Sequence, residues 1–215
     1  SQYLSALLLA APLATGESEI IVPLLYERPY VEITLNWLKE VGGELTAAPD
    51  RGHFRIPGGQ KYRAFDKEMA GDFSSATFFL CAAALTGAEL LVTGIEPDDP
   101  QGDKAVIDYL RALGADCRWE TGGVRVMAGA RLRGTELDLN ATPDALPALA
   151  VTACFASGRT VLGNVPQARL KETDRIAVMA AELRKLGATI EEKPDGLVIE
   201  GGGLAGGEVA GHGDH

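Results

Sequence analysis

The chain has 215 residues, a formal net charge of -10 and a pI near 4.8, with 46% hydrophobic and 6% aromatic content. That length suits one large or two small globular domains with a sizeable core, while so acidic and ring-poor a surface argues against a nucleic-acid partner. The longest apolar runs, ALLLAAPLA and ALPALAVTACFA, fall short of the roughly 20 residues that cross a bilayer, and no basic leader precedes an apolar segment, so no membrane association and a cytoplasmic location are expected.

Taken along the chain, one pattern occurs three times. SALLLAAPLATGESEIIV reads as an apolar helix buried on every side, with Gly16 as its C-cap, followed by a short strand. TLNWLKEVGGEL is an amphipathic helix stopped at Gly42, and His53 lies in a solvent-facing turn, PDRGHF. SATFFLCAAALTGAELLV and VIDYLRALGADC repeat the pair of helices, with ELLVTGI as the strand between them. PALAVTACFASGRTVLG and MAAELRKLGATI repeat it again, and Ile176, Met179, Leu183 and Leu186 mark the apolar face of the last helix. TIEEKPDGLVIE closes that copy as a hairpin turning at Pro194, Asp195 and Gly196.

Two glycine series carry the period. Gly42, Gly114 and Gly187 are spaced 72 and 73 residues apart, and Gly16, Gly87 and Gly158 are spaced 71 and 71. The repeating unit is therefore helix, strand, helix, strand, strand, with a further strand joining successive units. It is too long for a common solenoid repeat, and a few copies gathered round a shared helical core are expected. The sequence starts inside a copy and ends at the start of another, so a segment of a longer protein is expected. Cys81, Cys117 and Cys154 are scattered without CxxC spacing, as buried reduced thiols are.

Candidate chemistry gathers in LKETDR, Leu170 to Arg175, placed at the start of the third amphipathic helix. Glu172 and Arg175 have the i, i+3 spacing of an ion pair, and Lys171 and Arg175 add two cations where helix amides attract anions. Asp144, in ATPDALPAL, precedes a buried helix, where it suits an N-cap or a base whose pKa burial could tune. GGGLAGG lacks the context of a nucleotide loop, and His212, Asp214 and His215 lack the companions of a metal site.

SQYLSALLLAAPL, RPYVEITL, GDFSSATFFLCAAAL, PDALPALAV, RLKETDRIAVMAAELRKLGA and the terminal GDH together resemble the 5-enolpyruvylshikimate-3-phosphate synthase family, the 3-phosphoshikimate 1-carboxyvinyltransferases, along essentially all 215 residues. The resemblance implies an α/β fold of repeated β-α-β-α-β-β units, an inside-out α/β barrel, with residues 1–69 the last unit of the domain binding shikimate phosphate and 70–215 about two units of the second. It implies transfer of the enolpyruvyl group of phosphoenolpyruvate to the 5-hydroxyl of shikimate 3-phosphate in chorismate synthesis, without metal or cofactor, by an enzyme that glyphosate targets.

By position, the resemblance assigns Ser1, Gln2, Arg28, Tyr30 and Gln167 to shikimate 3-phosphate, with Gln2 also reaching phosphoenolpyruvate. It makes Asp144 the base at the 5-hydroxyl, Lys171 a polar partner of shikimate 3-phosphate, Glu172 the group exchanging a proton with the methylene carbon, and Arg175 a ligand of phosphoenolpyruvate. Two positions depart from the family: Glu27 stands where a serine is usual and should repel a phosphate unless it turns away or pairs with Arg28, and Gln167 stands for a frequent asparagine. Several family cations lie outside this stretch, so the chain alone is expected not to turn over, and surfaces left uncovered are expected to favour self-association of a normally monomeric enzyme. The alternatives are a UDP-N-acetylglucosamine enolpyruvyl transferase, an RNA 3'-phosphate cyclase, which the acidic pI opposes, and a non-catalytic half-site scaffold.

Overall fold

The structure, a computed structural model, describes residues 1–214; His215, weighed above as a metal ligand, lies outside the described residues. The first copy comprises α1 (Gln2–Ala10), β1 (Ser18–Ile21), α2 (Arg28–Glu40), β2 (Thr46–Ala47) and β3 (His53–Ile56). The second comprises α3 (Phe73–Thr86), β4 (Leu90–Thr93), α4 (Val106–Ala112), β5 (Cys117–Glu120) and β6 (Gly123–Val126). After the joining strand β7 (Glu136–Asp138), the third comprises α5 (Leu146–Phe155), β8 (Arg159–Gly163), α6 (Arg175–Lys185), β9 (Thr189–Lys193) and β10 (Gly196–Glu200).

Each copy makes its own sheet with the same strand order. The last strand lies between the first and second, as β1-β3-β2, β4-β6-β5 and β8-β10-β9, all antiparallel. β7 adds to the outer edge of β8 in parallel, and among the described residues the sheets remain open, so the repeat is present without a closed barrel.

Glycines at equivalent places in the copies have separate physical reasons. Gly42, Gly114 and Gly187 end the amphipathic helices at φ of 84°, 101° and 89°, the left-handed region that other residues enter at a cost. Gly123 and Gly196 open the central strands β6 and β10 in equivalent places, where a Cβ would come 2.1 and 1.9 Å from the carbonyl oxygens of Val92 and Leu162. Only a residue without a side chain lets those strands pair so closely with β4 and β8.

By contact the chain divides into two compact units, Ser1–Met69 with Pro100–Gly102, and the remainder from Ala70. The first buries Leu4, Leu8, Val31, Leu38, Phe54 and Ile56. The second has one continuous core in which α3 packs on α5 and α5 on α6, with the inner faces of β6, β8 and β10 beneath them. Cys81, Cys117 and Cys154 are free and buried in it.

Three sequence expectations need correction. Two of the three apolar helices are not buried all round: Tyr3, Leu7 and Leu9 on α1 and Phe78 and Phe79 on α3 are exposed, because the described elements supply partners on one face only, whereas α5 is buried nearly throughout. Of the proposed glycine caps, Gly87 caps α3 at φ 67°, whereas Pro12 turns the end of α1 into a 3-10 turn and Ala156 ends α5. His53 is not in a turn but opens β3, half-exposed and paired with Glu19 at 2.7 Å.

Candidate active site

The parallel pairing of β7 with β8 sets Asp138 beside Gly163, so the loops that leave the two strands emerge at one rim of the sheet. The first loop carries Asp144 and the second carries Gln167 to Arg175. Asn164, at φ 56°, turns the chain out of β8 into a 3-10 turn, Pro166–Leu170, and Lys171 is extended. α6 therefore begins only at Arg175, with Asp174 as its N-cap accepting from the Ala177 amide at 3.0 Å. Glu172 precedes the helix rather than sitting in its first turn, and part of the anion-attracting amide end is already engaged by Asp174. The cap expected of Asp144 is likewise absent from its 3-10 turn, Pro143–Ala145, because the carboxylate is engaged by cations from the neighbouring loop.

Arg175 is the centre of that engagement. It is buried, and its Nη1 donates to Asp144 Oδ1 at 2.6 Å and its Nη2 to Glu172 Oε2 at 2.9 Å. Asp214 grips the guanidinium edge with both oxygens, Nη2 to Oδ1 at 2.8 Å and Nε to Oδ2 at 2.9 Å, and also accepts from Thr173 Oγ1 at 2.7 Å. Lys171 Nζ lies 3.6 Å from Asp144 Oδ1. These hydrogen bonds, that to Asp214 foremost, push the Arg175 pKa further up, against the opposing effect of burial. It remains a fixed cation at every working pH.

The loop holding these groups is fixed from beneath. Arg169 pairs with Asp174 at 2.7 Å and Glu192 at 2.9 Å and donates to the carbonyls of Lys193 and Pro194, tying the loop to the β9–β10 turn. Gln167 is buried, donating from Nε2 to the Asn140 carbonyl at 2.8 Å. Its Oε1, also buried, has no hydrogen-bond partner among the described residues, an arrangement that leaves an acceptor for a ligand donor.

Within the first unit, Ser1 precedes α1, Gln2 is exposed in its first turn, and Arg28 and half-buried Tyr30 lie in the first turn of α2. Glu27 is buried and left-handed at φ 55°, and accepts from Ser1 Oγ at 2.5 Å. Arg28 reaches Glu32 at 3.1 Å and the Pro49 carbonyl at 3.0 Å. The Ser1 hydroxyl assigned to a phosphate by resemblance is thus engaged by the one residue expected to repel it.

The sequence expectations thus meet in part. Asp144, Lys171, Glu172 and Arg175 form one cluster, Gln167 belongs to the same loop, and Ser1, Gln2, Arg28 and Tyr30 lie in the other unit. Sequence reasoning missed Asp214 as the principal partner of Arg175 and Arg169 as the anchor of the loop. Asp214 is 39 residues from Arg175, beyond any helical or hairpin spacing, and only its place in the GDH element marked it. No group of three or more His, Cys, Asp or Glu among the described residues could hold a metal ion, and no described helix is long and apolar enough to cross a membrane.

Comparison with known proteins identifies the family. The family model described as EPSP synthase (3-phosphoshikimate 1-carboxyvinyltransferase) matches residues 1–215. The 3-phosphoshikimate 1-carboxyvinyltransferases of Ruminiclostridium cellulolyticum and Acetivibrio thermocellus are 52% and 50% identical over the whole chain, which spans 50% of each of those proteins. A solved EPSP synthase from Acinetobacter baumannii superposes over 100% of this chain and 51% of its own, with a TM-score of 0.76 and 30% identity. The enolpyruvyl transferase NikO from Streptomyces tendae, 21% identical, shares the fold over 90% of this chain and 45% of its own, at a TM-score of 0.65. The chain thus spans about half the length of the relatives it matches, and it belongs to the EPSP synthase family.

Proposed function

We propose that the protein containing this chain transfers the enolpyruvyl group of phosphoenolpyruvate to the 5-hydroxyl of shikimate 3-phosphate, releasing phosphate. The observation that carries this reading is the single guanidinium, Arg175, shared by Asp144 and Glu172 with Lys171 beside them. Addition of an alcohol to an enol phosphate needs a base at the hydroxyl, a proton donor at the methylene carbon and cations for the substrate anions; the cluster contains each type.

In this reading Asp144 takes the proton of the 5-hydroxyl as its oxygen bonds to C2 of phosphoenolpyruvate, and Glu172 delivers a proton to C3. The tetrahedral adduct then expels phosphate while Glu172 recovers a proton from C3, restoring the double bond. Lys171 and Gln167 hold shikimate 3-phosphate, together with Ser1, Gln2, Arg28 and Tyr30 from the first unit, and Arg175 holds the carboxylate of phosphoenolpyruvate. Neither addition nor elimination changes oxidation state, so side chains suffice without a cofactor. Residues 1–69 serve as the last unit of one domain and residues from 70 onward as about two units of the other. The three buried thiols suit a reducing cytoplasm.

The test is phosphate release by the protein at its relatives' length. Release that requires shikimate 3-phosphate, and that falls by about 100-fold or more in Asp144→Asn and Glu172→Gln, is expected. Release supported by UDP-N-acetylglucosamine instead, or unaffected by either substitution, overturns the assignment.

A further inference from the structure

We propose that Glu182 is a positioning residue for this site: it docks the segment 204–214 along α6 so that Asp214 holds Arg175. This deepens the function proposed above and rests on it for its kinetic consequence, though not for its structural one.

Glu182 and Arg175 are seven residues apart on α6, two turns along one face. Both are buried, which charged side chains avoid unless they are paired. Each meets the same passing stretch of irregular backbone with opposite polarity. The Ala210 amide donates to Glu182 Oε2 at 2.9 Å and His212 Nε2 meets Glu182 Oε1 at 2.7 Å. Two residues later Asp214 closes on Arg175. Upstream, Leu204 packs against the core and the Ala205 amide donates to the Leu186 carbonyl at 2.7 Å.

The segment needs such anchors. It contains no helix or strand and has glycines at 206, 207, 211 and 213, so its unconstrained backbone entropy is large. His212 is held at φ 51°, a left-handed conformation that is costly for a non-glycine residue and persists where surrounding contacts fix it. Glu182 also pairs with Lys185, three residues on and half-exposed. That surface pair would stand without the segment, whereas the other two donors both belong to it. Glu182 therefore sets where the segment crosses α6, and the short span from His212 to Asp214 converts that placement into the position of the Arg175 clamp.

The experiment is a double-mutant cycle of Glu182→Gln and Asp214→Asn in the protein at its relatives' length, with separate KM values for the two substrates. Each single variant is expected to raise KM for phosphoenolpyruvate about fivefold and leave that for shikimate 3-phosphate within about twofold, and the double variant to be no worse than Asp214→Asn alone. Multiplying effects in the double variant would overturn the proposal. Should Glu182→Gln not fold, His212→Gly keeps the test, since it removes one anchor from the surface side and is expected to show the same non-additivity with Asp214→Asn. Amide hydrogen exchange separates this proposal from the functional one. Glu182→Gln is expected to speed exchange in residues 205–214 at least tenfold, and unchanged exchange overturns the docking whatever the kinetics.

Discussion

Gln167→Met separates the site from the fold, because stability and binding should move in opposite directions. Methionine approximates the volume of glutamine and replaces a buried amide whose Oε1 has no partner among the described residues. Burying an acceptor without a donor costs about 1–3 kcal/mol, and the one bond lost, from Nε2 to the Asn140 carbonyl, contributes about 1 kcal/mol. The balance is a gain of about 1 kcal/mol, or about 2–4 °C in melting temperature for a chain of this size. If a hydroxyl of shikimate 3-phosphate supplies the missing donor, the same change should weaken its binding at least tenfold, about 1.4 kcal/mol. Urea unfolding reads the first effect and calorimetric titration of the full-length protein the second. A loss of more than about 1 kcal/mol of stability, with binding intact, would refute the reasoning on both counts.

Glu27→Gln should strengthen shikimate 3-phosphate binding about tenfold, since it removes a buried carboxylate that engages the Ser1 hydroxyl, and charges about 4 Å apart interact by several kcal/mol near a protein surface; weaker binding on titration would count against a phosphate at this end of α2. Burial pushes the thiols of Cys81, Cys117 and Cys154 up to about 11, so none should react with a disulfide reagent at pH 8 in the folded chain and all three should react in guanidinium. Glu182 is held at about 2 by Lys185 foremost, then by His212 and the Ala210 amide, against its ordinary 4.5. Such a depressed carboxylate stabilises fully above pH 4.5 and loses that contribution as the pH falls toward 2, so the acid loss of stability, followed by urea midpoints, should be shallower in Glu182→Gln than in the parent.

The repeat was legible in the sequence because most of its marks have a local cause. Gly42, Gly87, Gly114, Gly158 and Gly187 are needed at positive φ, and Ile176 and Leu183 recur at helical spacing, whereas Gly16 meets no such demand. Burial was less legible. α1 and α3 have apolar residues all round, and nothing local distinguishes the face that finds a partner from the face that carries Leu7 or Phe79. At the site, the i, i+3 pair of Glu172 and Arg175 was readable from spacing and the helix start was misplaced, since Asp174 competes as cap with the acid before it. The clamp by Asp214 was not readable at all. It depends on where an irregular glycine-rich segment crosses α6, which packing decides and short-range propensity does not.

The charges around Arg175 also constrain how such a site can work. Arg175 already meets three carboxylates, Asp144, Glu172 and Asp214, and Lys171 stands beside the first of them. On the proposed roles, binding of a substrate carboxylate there proceeds by exchange. A substrate carboxylate arriving at Arg175 has to take donors from a carboxylate already there, and Asp214, gripping two of the guanidinium nitrogens and supported by Thr173, is the hardest to displace. Asp144 accepts from Nη1 of Arg175 and Glu172 from Nη2, and on the proposed roles they are the ones to release. On the proposed roles these are the groups that move protons, so arrival of the substrate carboxylate would free Asp144, with Lys171 still 3.6 Å away, to accept from a hydroxyl. The clamp would then do more than hold an arginine still: by being the partner that stays, Asp214 makes the acid and the base the partners that leave.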